Sequence, residues 1–317
     1  MNKVKKTISL LTFVLTSAMA FAQNTDKAYS EKVRLNASTF HKNFSTGDFG
    51  KNGPLVNEKI YVNSNNAIVI GREHFVARIK RFHTPFPTLK LKDRIVIVDE
   101  NSVGLLYIMQ GTQDGPYGPI AATGNKINVY AAEFFTMDEM AQMKELLTIT
   151  QLDQLKRQIT GKDKLERYED VTLLPIAKKD AGYKKKIKNN LDAYVQNFNI
   201  RDWSSLKAMF ADKAAINING KSYVGADALI DELKKLIVTV PDVTYHLIRN
   251  VAEGDRGALA YEVNGKVTHA DKTEDGKPMD SNIEDVKQGV HFQFDEKGKI
   301  INAVVVYNSE DFNKQLK

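Results

Sequence analysis

The 317 residues carry 45 Lys and Arg against 39 Asp and Glu, 42% hydrophobic residues and no cysteine. That length and apolar content suit two domains, each with its own core. A net charge of +6 is too small a surplus to argue for nucleic acid or an anionic membrane, and the missing cysteine excludes disulfides, a thiol nucleophile, a lipid-modified thiol and thiolate metal sites.

Residues 1–22 read as a targeting segment. Lys3, Lys5 and Lys6 precede the apolar run Ile8 to Phe21, and Ala20-Phe21-Ala22 forms a small-x-small cleavage site before Gln23. The run is too short for a retained membrane span, so the expectation is an exported protein, periplasmic or secreted, with no membrane span after cleavage. Losing the three lysines leaves a mature charge of 6 − 3 = +3. Lys184 to Lys186 with Lys188 reads as a solvated helix face.

The spacing of Val33, Ala37, Phe40 and Phe44 predicts an amphipathic helix over Asp26 to Phe44, broken by Gly47, Gly50, Gly53 and Pro54. Ile60 and Val62, then Ile68 to Ile70, form a short strand pair, followed by a helix from Glu73 to Phe82. Strands follow at Leu89 to Val98, Val103 to Met109 and Lys126 to Met137, with a Gly- and Pro-rich loop from Gly111 to Gly124. From there to Ile159 the pattern fits strand or helix. Thr160 to Gly182, highly charged, is the linker. Beyond it come helices at Lys188 to Ile200, Trp203 to Phe210 and Asp227 to Ile237. Strands are expected at Ala214 to Ile218, Val243 to Val251, Gly257 to Val263, Ile283 to Phe294 and Ile300 to Tyr307. Helices first and an antiparallel meander after argue for an α+β fold, helices covering one face of a curved sheet.

The chain writes this plan twice. Shifted by 154 positions, Phe40 to Gly111 falls without a gap on Tyr194 to Gly265, matching Asn43-Phe44 with Asn197-Phe198, Pro87 with Pro241 and Tyr107 with Tyr261. Identities are about one in six, against about one in sixteen expected from average composition, and the apolar phase holds throughout. The division is residues 26–160 for domain 1, 161–182 for the linker and 183–317 for domain 2.

Gly111-Thr112-Gln113-Asp114-Gly115 with Thr123-Gly124 resembles the Gly-Thr-His-x-Gly and later Thr-Gly loop of the SnoaL-like branch of the nuclear transport factor 2-like superfamily, with Gln113 in place of the usual histidine. Phe294 to Ile300 resembles that branch's strand-turn-strand phrase, and Tyr194 to Ala214 its opening helices. The resemblance covers both repeats and implies two cone-shaped (α+β barrel) domains, each enclosing one apolar pocket. The superfamily includes cyclases, isomerases and non-catalytic binders, so function rests on the site. Ketosteroid isomerases of this fold use a carboxylate base with a tyrosine and a neutral acid as oxyanion hole. By the resemblance the tyrosine falls on Tyr194 and Phe40, the neutral acid on His291 and Glu133, and the base on Ile218 and Ser64. An aromatic wall falls on Tyr307 and Ile149. The acid–base carboxylate of the SnoaL-like cyclases falls on Thr150 and Asn308. Both known arrangements have lost a key carboxylate.

Candidate ligand-binding residues are therefore Tyr107 and Glu133 in the first copy and Tyr194, Tyr261, His291 and Tyr307 in the second, which is the first choice as the more polar pocket. Glu133 either faces the pocket, where burial would make it an acid or base, or points outward. His291 alternates with Val290 and Phe292 and faces away from both. Asp271, Thr273, Asp275 and Gly276 are too thin for a calcium loop and His269 with Asp271 for a zinc site. No metal or cofactor is expected. The leading expectation is a binder of a small apolar molecule. Its rivals are an isomerase, cyclase or hydrolase using Glu133 or His291, and a scaffold whose pockets fall below about 300 Å³. The resemblance also implies that the two copies pack as an internal pseudo-dimer.

Overall fold

The computed structural model describes residues 27–163, 165, 172–272 and 278–315, with side chains placed outside 268–272 and 278–280. The leader at 1–22, most of the linker's charged centre and the tip of the thin calcium-like loop lie outside the described residues.

Each copy begins with a long helix. Residues 27–46 form α1, whose stripe of Val33, Ala37, Phe40 and Phe44 is buried. Its counterpart α4 (Ala181–Asn199) starts seven residues before the expected Lys188, because the Asp180 side chain accepts the Tyr183 N–H and caps the first turn. A 3-10 segment, Phe49–Leu55, follows α1 where glycines break it; α5 (Trp203–Ala208) follows α4, capped by Asp202. Then each copy lays down a short hairpin, β1 (Val56–Ser64) with β2 (Ala67–Ile70) and β7 (Phe210–Ile218) with β8 (Lys221–Val224). The helices α2 (Arg72–Phe82) and α6 (Asp227–Thr239) come next.

Four strands complete each sheet: β3 (Lys90–Asp99), β4 (Ser102–Thr112), β5 (Lys126–Met137) and β6 (Met143–Thr150) in the first, β9 (Thr244–Glu253), β10 (Arg256–Lys272), β11 (Pro278–Phe294) and β12 (Ile300–Tyr307) in the second. The strand orders are β2-β1-β6-β5-β4-β3 and β8-β7-β12-β11-β10-β9. Only the β1–β6 and β7–β12 neighbours run parallel; the rest are antiparallel. Each chain copy closes on a short helix, α3 (Leu152–Ile159) or α7 (Ser309–Gln315). The ambiguous stretch up to Ile159 thus holds one strand and one helix. Both domains are α+β, as expected.

The concave face of each sheet and its helices enclose a separate apolar core, one around Phe40, Phe75, Leu105 and Phe135, the other around Tyr194, Phe198, Leu259 and Phe292. The opposite faces meet each other. Ile97, Leu106, Ala132 and Phe134 of the first sheet pack with Val251, Ala258, Ala260 and Val306 of the second. Small residues allow this approach. A Cβ on Gly104 would lie 2.6 Å from Val251 Cγ2, and one on Gly289 would lie 2.9 Å from the Ala132 Cβ.

Ion pairs cross this seam reciprocally. Asp99 at the end of β3 pairs with Lys184 (2.5 Å) and Lys188 (2.9 Å) on α4, and Glu253 at the end of β9 pairs with Arg34 on α1 (2.5 Å). Glu253 also accepts the Val98 N–H, and Asp99 accepts the Ala252 N–H. Both acids, and the two N–H donors at Val98 and Ala252, are related by the offset of 154.

Candidate functional site

The first pocket opens between α1, α2 and the concave sheet. It is a cavity of about 270 Å³ whose wall includes Phe40, Phe75, Tyr107, Met109 and Leu146, with Glu133, Thr148, Ser64 and Thr150 as polar lining. Glu133 faces inward on β5 and is only 5% exposed. It does not stand alone. Tyr107 Oη donates to Glu133 Oε1 at 2.9 Å, Thr148 Oγ1 donates to the same oxygen at 3.1 Å, and His41 Nε2 lies 3.0 Å from Oε2. The other nitrogen of His41, Nδ1, lies 2.6 Å from Asp93 Oδ1.

His41 thus spans two carboxylates with both nitrogens, which requires both to donate and the ring to carry its proton. Burial by itself pulls the imidazole pKa down, but the charges of Asp93 and Glu133 and their hydrogen bonds overcome it and raise it from 6.5 to about 10. Burial, then the charge of Glu133, drives the Tyr107 hydroxyl well above its ordinary value, so it stays a donor.

The second pocket, about 300 Å³, is lined by Tyr194, Tyr245, Tyr261, Tyr307 and Gln288. Tyr261 Oη donates to Gln288 Oε1 at 2.9 Å. Tyr245 stacks on Phe198 with ring centroids 3.6 Å apart, and Tyr261 on Tyr245 at 4.2 Å. Burial raises the hydroxyl pKa values of Tyr194, Tyr245 and Tyr261. Its lining has a carboxylate, Glu232, and a lysine, Lys235, on α6.

The structure therefore brings together Tyr107 and Glu133 in one pocket, and Tyr194, Tyr261 and Tyr307 in the other. His291 joins neither. It turns away from Val290 and Phe292, as alternation requires, but those two belong to the second core and His291 lies on the seam, its ring centroid 5.7 Å from that of Phe134. The expectation that His291 lines the second pocket is corrected: the concave face is the other one. Buried with neither nitrogen bonded, it has its pKa pushed down to about 3 by desolvation. The two pockets carry their polarity differently: the first on Glu133, backed by His41 and Asp93, and the second on four tyrosines, Gln288, Glu232 and Lys235.

His41, Asp93 and Thr148 were not among the candidate residues. His41 was legible in principle, since it follows Ala37 by four positions and so falls on the buried stripe of α1. Gln113, at the place of the usual loop histidine, is fully buried and knits the loop instead. Its amide donates to the Gly115 and Ala121 carbonyls, and its oxygen accepts from Thr123. Among the described residues no group of acids and histidines could hold a metal ion, and no helix is long and apolar enough to cross a membrane.

Two family models match the chain. Residues 35–159 match the SnoaL-like polyketide cyclase family and residues 191–303 the SnoaL-like domain family. No curated protein matches by sequence. Among solved structures, the chain is similar to a candidate SnoaL-like polyketide cyclase from Jannaschia sp. CCS1, with 19% identity and TM-score 0.39 over 41% of this chain and 92% of that one. TsrD from Streptomyces laurentii shares 21% identity with TM-score 0.38, over 41% and 95%. A SnoaL-like polyketide cyclase from Agrobacterium tumefaciens shares 12% identity with TM-score 0.35, over 40% and 96%.

Proposed function

We propose, for a chain whose two SnoaL-like domains in tandem place it in the nuclear transport factor 2-like superfamily, that it binds a small, largely apolar molecule in the first pocket and does not transform it. The observation that carries this reading is the state of Glu133. Its carboxylate already takes hydrogen bonds from His41, Tyr107 and Thr148. A carboxylate held by three donors is a fixed acceptor, with lone-pair capacity left for one donor from a ligand. The remaining polar lining, Ser64, Asn65, Arg78, Tyr117 and Thr150, holds no second carboxylate or imidazole to take a proton from carbon near neutral pH. The first cavity, about 270 Å³, falls just under the lower bound of about 300 Å³ for ligand pockets and the second sits at it, so the guest must be small, and volume alone favours the scaffold.

Native mass spectrometry of the purified full chain tests it. A co-purifying small molecule should be present in the unaltered protein and in Leu233→Trp, which fills the second pocket, and absent from Leu146→Trp, which fills the first. The reverse pattern would move the site to domain 2, and no bound molecule in any form would favour the scaffold.

The line Asp93–His41–Glu133 favours a second reading, a proton-transfer enzyme in which Glu133, positioned by His41, exchanges the proton. Incubation of the recovered compound with the unaltered protein and with Glu133→Gln decides between them: conversion by the first and not the second would establish the enzyme. Two further parts of the proposal complete it. The 1–22 leader directs export, which an intact-mass measurement beginning at Gln23 would support. The two domains form an internal pseudo-dimer through their sheets, and scattering from two independent beads would remove that idea.

A further inference from the structure

A third cavity lies on the seam between the sheets, away from both pockets. It measures about 200 Å³ and is lined by Arg94, Arg256, His291 and Asn302 together with the apolar side chains of Ile95 and Leu106. Its position has a counterpart. Strand β12 opens at Ile300 where β6 opens at Met143, an offset of 300 − 143 = 157, so Asn302 corresponds to Glu145; Ile95 corresponds to Arg249 at the offset of 154. At the counterpart place Arg249 bridges the sheets, paired with Glu145 at 3.0 Å and hydrogen-bonded to Thr136. Here isoleucine and asparagine replace that acid–cation pair, and a cavity stands where it would be.

What surrounds the cavity is cationic and underpaired. The Arg94 side chain has no hydrogen bond or ion pair among the described residues. Arg256, 5% exposed, donates from Nη2 to the Pro175 carbonyl at 3.2 Å, but its Nε has no hydrogen bond and lies 3.5 Å from Asp255. Asp255 is committed elsewhere, to the Ala177 N–H and the Gln293 amide. Neither nitrogen of His291 has a partner. Buried donors left unmet cost free energy, and a built cluster of them marks a place for a missing acceptor.

We propose that this seam cavity binds a small organic carboxylate. Its carboxylate takes the place that Glu145 holds at the counterpart position and pairs with Arg94 and Arg256, while its apolar body rests on Ile95 and Leu106. A planar guanidinium fork suits a carboxylate in geometry as well as charge.

Benzoate, with inorganic phosphate as comparison, is titrated calorimetrically into the full chain. Benzoate should bind with a dissociation constant below about 1 mM, and Arg94→Gln, which alters a half-buried side chain, should weaken it at least about tenfold. The double substitution Ile95→Arg with Asn302→Glu recreates the counterpart pair inside the cavity and should abolish binding. Leu146→Trp, in the first pocket, should not alter it. The proposal is overturned if folded protein shows no benzoate binding at about 10 mM, the result expected of a cavity holding only water. It is also overturned if phosphate binds and benzoate does not, if Arg94→Gln binds as well as the unaltered chain, or if Leu146→Trp removes the signal. Should the double variant fail to fold, Arg94→Gln and Leu146→Trp still decide.

Discussion

His41 holds its proton between two acids, which ties stability to pH on the alkaline side. Its pKa is raised from 6.5 to about 10, so the folded state keeps a proton that the unfolded chain releases above 6.5. The stabilisation is whole below 6.5 and is lost as pH rises through about 10. Urea midpoints measured across that window should fall with rising pH, and His41→Phe should flatten the fall from a lower starting stability. His291 acts with the opposite sign. Its pKa is lowered from 6.5 to about 3, so its contribution is whole above 6.5 and is lost as pH falls toward 3. His291→Phe, which places in β11 the side chain that Phe134 places on the facing sheet, should blunt acid unfolding; an unchanged acid limb would contradict the burial described for the ring.

At the scale of elements, the duplication and most strands were legible, and the reason is register. Up to Gly265 one offset serves, and the strand pairs keep it: Leu105 and Leu259 are equivalent, as are Tyr107 and Tyr261. The longer β10–β11 hairpin then adds three residues. Glu133 pairs with Leu105 and Val290 with Leu259, so the counterpart of Glu133 is Val290, and that of Thr150 is Tyr307. Aligning Glu133 with His291 and Ile149 with Tyr307 slips the strand by one residue, and in a strand one residue exchanges the faces. That single slip put His291 in the wrong cavity. It also hid how completely the second copy lost the polar cluster, since His41, Asp93, Glu133 and Thr148 correspond there to Val195, Leu247, Val290 and Val305. The capping that extends α4 and the short closing helix α7 were missed because neither carries a long apolar stripe. The seam gives its own prediction. Gly104→Val and Gly289→Val would drive a branched side chain into the facing sheet and should each cost about 1–3 kcal/mol in urea unfolding, whereas Gly50→Ala, with nothing within 4 Å, should cost well under that.

For the whole molecule, the reciprocal acids at the ends of β3 and β9 decide whether the two domains unfold together. Asp99 is held below the usual carboxylate range: burial raises its pKa, and Lys184 and Lys188 more than reverse that. Its contribution is therefore present above about 4 and is lost as pH falls below it. Asp99→Asn leaves Lys184 and Lys188, both more than a third exposed, without their acid and should lower stability by about 1 kcal/mol at neutral pH. Calorimetry should then show two transitions in place of one, the less stable domain melting first; a single unsplit peak at the original temperature would show that the seam does not couple the halves.

The seam joins two copies already threaded on one polypeptide. Their meeting is a first-order event, indifferent to how many molecules share the tube. Over roughly a hundredfold dilution, which would separate an ordinary pair of subunits, the melting temperature of this chain should stay where it is.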